Sequence, residues 1–288
     1  MSTGHRAGAL LMALATLGGM GAWAAPLMLK GSTALHVLTI ADGGSGTAPQ
    51  RAVGQRMAER HRMRAVDLVL MAGDNLYDRG DPAEAEAKFQ RPYRELLDAG
   101  VPFHAVLGNH DILTGHGVPQ LNYAPFGMQG RWYALRRGPV EFFMIDTNRD
   151  AAWQHQMPWL KKALAASTAP WKVVIGHHPL RSSGLYGDDP RAIARLAPLF
   201  RRHGVQLSIS GHEHHYERSL PINGTTYLVV GNAGASLRPV LPGPRSARAV
   251  STYGFTELSF TDQELQIEAW NSLGERIDQA RIASSGSG

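Results

Sequence analysis

Residues 35–77 read LHVLTIADGGSGTAPQRAVGQRMAERHRMRAVDLVLMAGDNLY, and the parsing of the whole chain follows from this stretch. Leu35-His36-Val37-Leu38-Thr39-Ile40 is a short, nearly continuous apolar run, the pattern of a buried strand. Residues 48–64 space their apolar side chains at helical intervals, and 66–71 return to a strand pattern. Polar residues follow each strand at once. Asp42 comes after the first, in Ile40-Ala41-Asp42-Gly43-Gly44, and Gly73-Asp74-Asn75-Leu76-Tyr77 comes after the second.

The same alternation continues outward. Residues 82–99 predict a helix ending at Gly100, and 101–107, 141–146, 172–175 and 205–209 predict further strands. Asp189-Pro190 opens another helix as N-cap and first helical residue, and Gly204 closes it. Beyond Gly211 the pattern turns to β. Ile222-Asn223-Gly224-Thr225 is a hairpin-turn signal, and 253–260 with 264–270 predict a closing pair of strands. Such alternation predicts an α/β protein with helices on the faces of its sheets. With no repeat and no linker, residues 25–283 are expected to form a single domain.

Composition sets the chemical limits. The 288 residues are 43% hydrophobic and 18% charged, which excludes a disordered chain. There is no cysteine, hence no disulfide, no thiolate zinc site and no cysteine nucleophile. Any metal must be held by His, Asp, Asn, Glu or Tyr. The net charge of +5 is mild and lacks the dense basic stripe of a nucleic-acid binder, so no nucleic-acid partner is expected. Nothing in the sequence speaks to oligomeric state.

The N-terminus reads as a secretory signal. His5 and Arg6 precede an apolar run over 7–25, and Ala22-Trp23-Ala24 offers the small residues of a cleavage site. The expectation is a signal peptide over 1–24, a periplasmic or secreted mature chain, and no stable membrane anchor after cleavage. Residues 284–288 form a Gly/Ser tail, expected to be disordered.

Five polar clusters follow strands directly: Asp42; Gly73-Asp74-Asn75-Leu76-Tyr77; Gly108-Asn109-His110-Asp111; Gly176-His177-His178-Pro179; and Gly211-His212-Glu213-His214. Each alone reads as a turn or a helix cap. Together, at the carboxyl ends of strands in an α/β sheet, they describe one crevice ringed by oxygen and imidazole donors.

This set, in this order, resembles the calcineurin-like metallophosphoesterases, and the tyrosine of Gly-Asp-Asn-Leu-Tyr resembles their purple acid phosphatase branch. The likeness spans roughly 35–235 and includes His215-Tyr216-Glu217-Arg218 after the last cluster. It implies a four-layer sandwich of two mixed β-sheets flanked by helices, and a site for two metal ions. By position, the first metal falls to Asp42, Asp74, Tyr77 and His214. The second falls to Asp74, Asn109, His177 and His212, with Asp74 bridging. His110 is implied as a group facing the leaving oxygen rather than a ligand. Two positions depart from the pattern: Gly43 stands where a tryptophan is common, and Gly44 where relatives outside the purple branch carry a histidine.

The chemistry that the resemblance implies is phosphoester hydrolysis. A phosphate ester is anionic and repels nucleophiles. Two metals clamp its oxygens and lower the pKa of a water toward neutrality, giving an oxygen nucleophile in line with the leaving group. An imidazole such as His110 then protonates the departing alkoxide. Phenolate from Tyr77 favours Fe(III) in the first site, with Fe(II), Zn(II) or Mn(II) in the second. A small phosphomonoester is the expected substrate. Phosphodiester or nucleotide hydrolysis, and phosphate capture without turnover, are the alternatives. His178, His116 and His215 are further candidates for contact with substrate. Arg238, Arg245 and Arg248, in the Pro/Gly-rich stretch 237–250, read as a solvated loop that could rim the cleft.

Overall fold

The computed structural model describes residues 1–4 and 34–284. The cleavage site and most of the expected signal segment and tail lie outside these residues. Contacts divide the chain between Gly31 and Ser32, and every described strand and helix belongs to the second unit.

Among the described residues, thirteen strands form two mixed sheets. In the first, β1 (Leu35–Ile40), β2 (Leu68–Met71) and β3 (Phe103–Ala105) run parallel. Antiparallel β11 (Gly254–Phe260), β12 (Glu264–Asn271) and β13 (Arg276–Ala283) extend that sheet beyond β1. In the second, β5 (Val140–Met144), β6 (Trp171–Ile175), β7 (Leu207–Ser210) and β9 (Thr226–Val230) run parallel. Antiparallel β4 (Tyr133–Arg137) flanks one side, and β8 (Tyr216–Ser219) with β10 (Ser246–Val250) flanks the other.

Alternation along the strands explains the layering. In β1, Leu35 and Val37 enter a core shared with Phe142, Trp171, Val173 and Leu207 of the second sheet. Leu38 and Ile40 point the other way, onto Val53 and Met57 of helix α1 (Ala48–Met63) and onto the aromatic cluster around Phe89. Short helices α2 (Arg94–Asp98) and α3 (Val118–Leu121) come next in chain order. The outer face of the second sheet is covered by α4 (Trp153–Ala166) and α5 (Pro190–His203), through Leu160, Leu164, Leu196 and Phe200. Strands buried on both faces read as continuous apolar runs for this reason. The architecture is the expected four-layer sandwich in a single domain.

Three local expectations differ. The helix predicted over 82–99 is broken into a 3-10 turn (Pro82–Glu84), a π turn (Glu86–Gln90) and α2. Pro92 is the physical reason, since it lacks an N–H and clashes with the preceding turn. Residues 246–250, read as loop, form β10. The 253–270 pair does not close the sheet, because β13 pairs outside it along Leu265↔Ile282 and Ile267↔Ala280.

Register positions the site. Ile40 faces Met71 across β1 and β2, and Ile175 faces Ile209 across β6 and β7. The loops after β1, β2 and β3 therefore leave one sheet side by side, and those after β6 and β7 leave the other.

Candidate metal centre

Asp42, Asp74 and His212 each adopt a left-handed backbone, with φ of +55°, +51° and +67°. Such conformations cost energy in residues other than glycine, and they cluster at sites where side chains must be aimed against local preference. Neighbouring glycines make room. A Cβ at Gly108 would lie 2.2 Å from Asp74 Oδ1, and one at Gly211 would lie 2.4 Å from Asp42 Oδ2. The glycines that precede the polar clusters thus let one loop's backbone pass against another loop's carboxylate.

The donors gather in two sets. In the first, Tyr77 Oη lies 2.9 Å from Asp42 Oδ1, 2.9 Å from Asp74 Oδ2 and 3.3 Å from His214 Nε2. In the second, Asn109 Oδ1 lies 3.0 Å from His177 Nε2 and 2.9 Å from His212 Nδ1. His177 Nε2 is also 3.5 Å from Asp74 Oδ1. Asp74 therefore offers one oxygen to each set.

Backbone groups hold these side chains from behind. The Ala72 carbonyl lies 2.9 Å from His177 Nδ1, and the Ser236 carbonyl 2.8 Å from His214 Nδ1. Each ring is thereby set with Nδ1–H outward and the Nε2 lone pair inward. The His212 N–H donates to Asp42 Oδ2 at 2.8 Å, and the His110 N–H to Asp74 Oδ1 at 2.9 Å. Behind Asp74, fully buried Asp111 accepts from the N–H groups of Gly108, Asn75 and Leu76. Burial, then the charge of Asp74, raises the Asp111 pKa to about 6.

The electrostatics of the protein atoms alone are unbalanced. Tyr77 has one hydroxyl hydrogen between two carboxylate oxygens. Burial, followed by the charges of Asp42 and Asp74, drives its phenol far above the usual range. Burial opposes charge on His177, but the Asp74 carboxylate outweighs it and lifts the ring to about 10. Burial and the charge on His177 push His212 down to about 2. Buried acids, a phenol and inward-facing imidazoles facing one another across 2.9–3.5 Å want a cation among them. The donor set fits two such ions. Independently of any assigned role, Asp42, Asp74 and His177 form one group able to hold a metal, and His177, His178 and His212 form another.

The remaining candidates separate. His110 stands at the mouth, about one-third exposed, its Nε2 4.0 Å from Asp74 Oδ2 and its ring 4.5 Å from that of Tyr77. His178 abuts the second set, its ring 4.5 Å from that of His212. His116 is 84% exposed and has Asp150 3.9 Å away. His215 is fully buried with Nε2 3.4 Å from Glu217, so its ring has no free face for a substrate. Arg238 does rim the cleft, donating to the His212 carbonyl at 2.9 Å. Arg245 instead pairs with Asp188, and Arg248 lies in β10. Tyr186, not anticipated from sequence, stacks on His212 at 4.9 Å between centroids and 20° between planes. Glu213 places it by accepting its N–H at 2.6 Å. Its isolated position in a Gly-rich loop carried no signal.

The two departures at 43 and 44 have a steric account. A Cβ on Gly44 would meet the Asn75 carbonyl oxygen at 2.0 Å, and one on Gly43 would meet Tyr93 Oη at 2.8 Å. No histidine side chain has room at 44, and Tyr77 occupies the first set instead.

Comparison with known proteins identifies the family. The calcineurin-like phosphoesterase family profile matches residues 37–216, and the chain belongs to that family. It is a metallophosphoesterase, an enzyme class that hydrolyses phosphoesters on a binuclear metal centre. Purple acid phosphatase 17 of Arabidopsis thaliana is 26% identical over 85% of this chain and 83% of its own length. Among solved structures, purple acid phosphatase PPD1 from yellow lupin seeds superposes with a TM-score of 0.74 at 22% identity. That match covers 88% of this chain and 54% of the lupin chain. GAP50, described as the anchor in the inner membrane complex of Plasmodium, superposes at 0.78 and 22% identity, over 88% of this chain and 90% of its own.

Proposed function

We propose that this chain is an exported phosphatase that hydrolyses small phosphomonoesters on a binuclear centre. The observation that carries the reading is Asp74, whose two oxygens face two separate, complete donor sets. Asp42, Tyr77 and His214 would hold the first ion, Asn109, His177 and His212 the second, and Asp74 both. When bound, the ions supply concentrated positive charge for the phosphoryl oxygens and an oxygen nucleophile at neutral pH. A phenolate donor favours Fe(III) in the first site, with Fe(II), Zn(II) or Mn(II) in the second.

The protein's own contribution is orientation and a proton. Asp78's carbonyl oxygen lies 2.7 Å from His110 Nδ1, so the ring presents Nε2 to the open side of the site. A proton held at Nε2 is placed for transfer to the departing alkoxide oxygen. Phosphate capture on the same ions without turnover would have no need of that imidazole.

The decisive assay compares p-nitrophenyl phosphate with bis(p-nitrophenyl) phosphate, using protein of measured metal content. Preferential turnover of the monoester supports the reading, and preferential turnover of the diester replaces it with a phosphodiesterase. Export rests on residues 1–24. N-terminal sequencing of protein recovered outside the cytoplasm should begin near Ala25, and an intact Met1 there would overturn cleavage.

A further inference from the structure

Behind the His178 ring lies a second cavity, of about 300 Å³, that the metal chemistry does not use. His178 is the wall between the two. Its ring is 4.9 Å from that of His177 and 4.5 Å from that of His212, and Thr147 Oγ1 holds its Nδ1 at 2.9 Å. Arg149, Arg191, Arg195 and Trp153 line the cavity beyond it.

Three exposed guanidinium groups gather here. Arg191 and Arg195 stand four residues apart on α5, an arrangement in which like charges destabilise a helix. Among the described residues no carboxylate pairs with either of them or with Arg149, whereas Arg131, Arg181, Arg218 and Arg245 each have one. Among the described residues the one acid lining the cavity is Asp189, and its Oδ1 accepts the N–H groups of Arg191 and Ala192 at 2.8 and 3.0 Å. Arg195 is held in place, its guanidinium 4.4 Å over the Trp153 ring. A guanidinium fixed by stacking keeps its planar edge free for two parallel hydrogen bonds to an oxyanion.

We propose that this groove binds a second phosphate carried on the leaving group, so that bisphosphorylated small molecules are the preferred substrates. One phosphate is cleaved at the metal centre, and the other is held one imidazole away by Arg149, Arg191 and Arg195. The inference rests on the phosphomonoesterase reading and deepens it.

The test compares kcat/KM for alkanediol bisphosphates of three to six carbons with the matching monophosphates. At the chain length that spans His178, the bisphosphate should be favoured by about tenfold or more, the value of one good charge-assisted contact. The double variant Arg191→Gln/Arg195→Gln should bring that ratio close to one while p-nitrophenyl phosphate turnover stays as in the wild type. A wild-type ratio near one at every length, or a ratio that survives the double variant, would overturn the proposal. Should no monoester turn over, the phosphatase reading falls by itself. The groove is then judged by calorimetric titration of the bisphosphates: a Kd unchanged in the double variant rejects it, and one raised about tenfold retains it.

Discussion

At the scale of single residues, the two oxygens of Asp74 make different demands from the one imidazole of His110. Asp74→Ala should lose both ions, measured as metal per protein, and nearly all turnover. His110→Ala should keep its metal and lose about 10²–10⁴-fold in kcat on alkyl phosphates, with a smaller loss on p-nitrophenyl phosphate, whose leaving group needs little protonation. Metal retained in full by Asp74→Ala would disprove the bridging role. Tyr77 adds an optical test. A phenolate on Fe(III) absorbs visible light, so iron-loaded protein should be coloured and Tyr77→Phe colourless; a band that survives the substitution removes Tyr77 from the first site. These donors were legible in sequence because each belongs to a polar cluster in the loop leaving a buried strand. Tyr186 was not, since its place against His212 is set by buried Glu213 and by no local pattern.

Among the elements, α5 shows how far local rules reach. Asp189 caps it and Gly204 ends it with φ of +66°, both as its sequence predicts. Asp189→Ala should cost about 1 kcal/mol in denaturant unfolding, and an unchanged midpoint would show the cap to be idle. Strand β13 shows where those rules stop. Its residues are mostly exposed or half-exposed, and its partner strand β12, rather than its own composition, makes it a strand. In β8, burial opposes ionisation of Glu217, but hydrogen bonds from His215, the Ser183 N–H and Ser246 hold its pKa at about 2. A depressed carboxyl stabilises the fold fully above its ordinary pKa of 4.5, and that contribution is lost as pH falls toward 2. Glu217→Gln should therefore lower the melting temperature at pH 7 and flatten its decline between pH 4.5 and 2. Parallel curves for the two proteins would contradict this.

For the whole molecule, the donors divide by sheet. Asp42, Asp74, Tyr77 and Asn109 come from the loops after β1, β2 and β3, whereas His177, His212 and His214 follow β6 and β7. Each proposed ion takes ligands from both sheets. Binding to the folded state alone adds about 4 kcal/mol when free metal is a thousandfold above Kd. Chelation should accordingly lower the melting temperature and broaden hydrogen exchange along β1, β2, β6 and β7 together. Exchange that loosens in one sheet only would argue against shared ligation. A chain without cysteine has no disulfide to tie its two sheets together. Its ions would then be inorganic staples across the sandwich, governed by metal supply rather than by redox poise, so that scarcity of metal would weaken the architecture at the same moment that it silenced the chemistry.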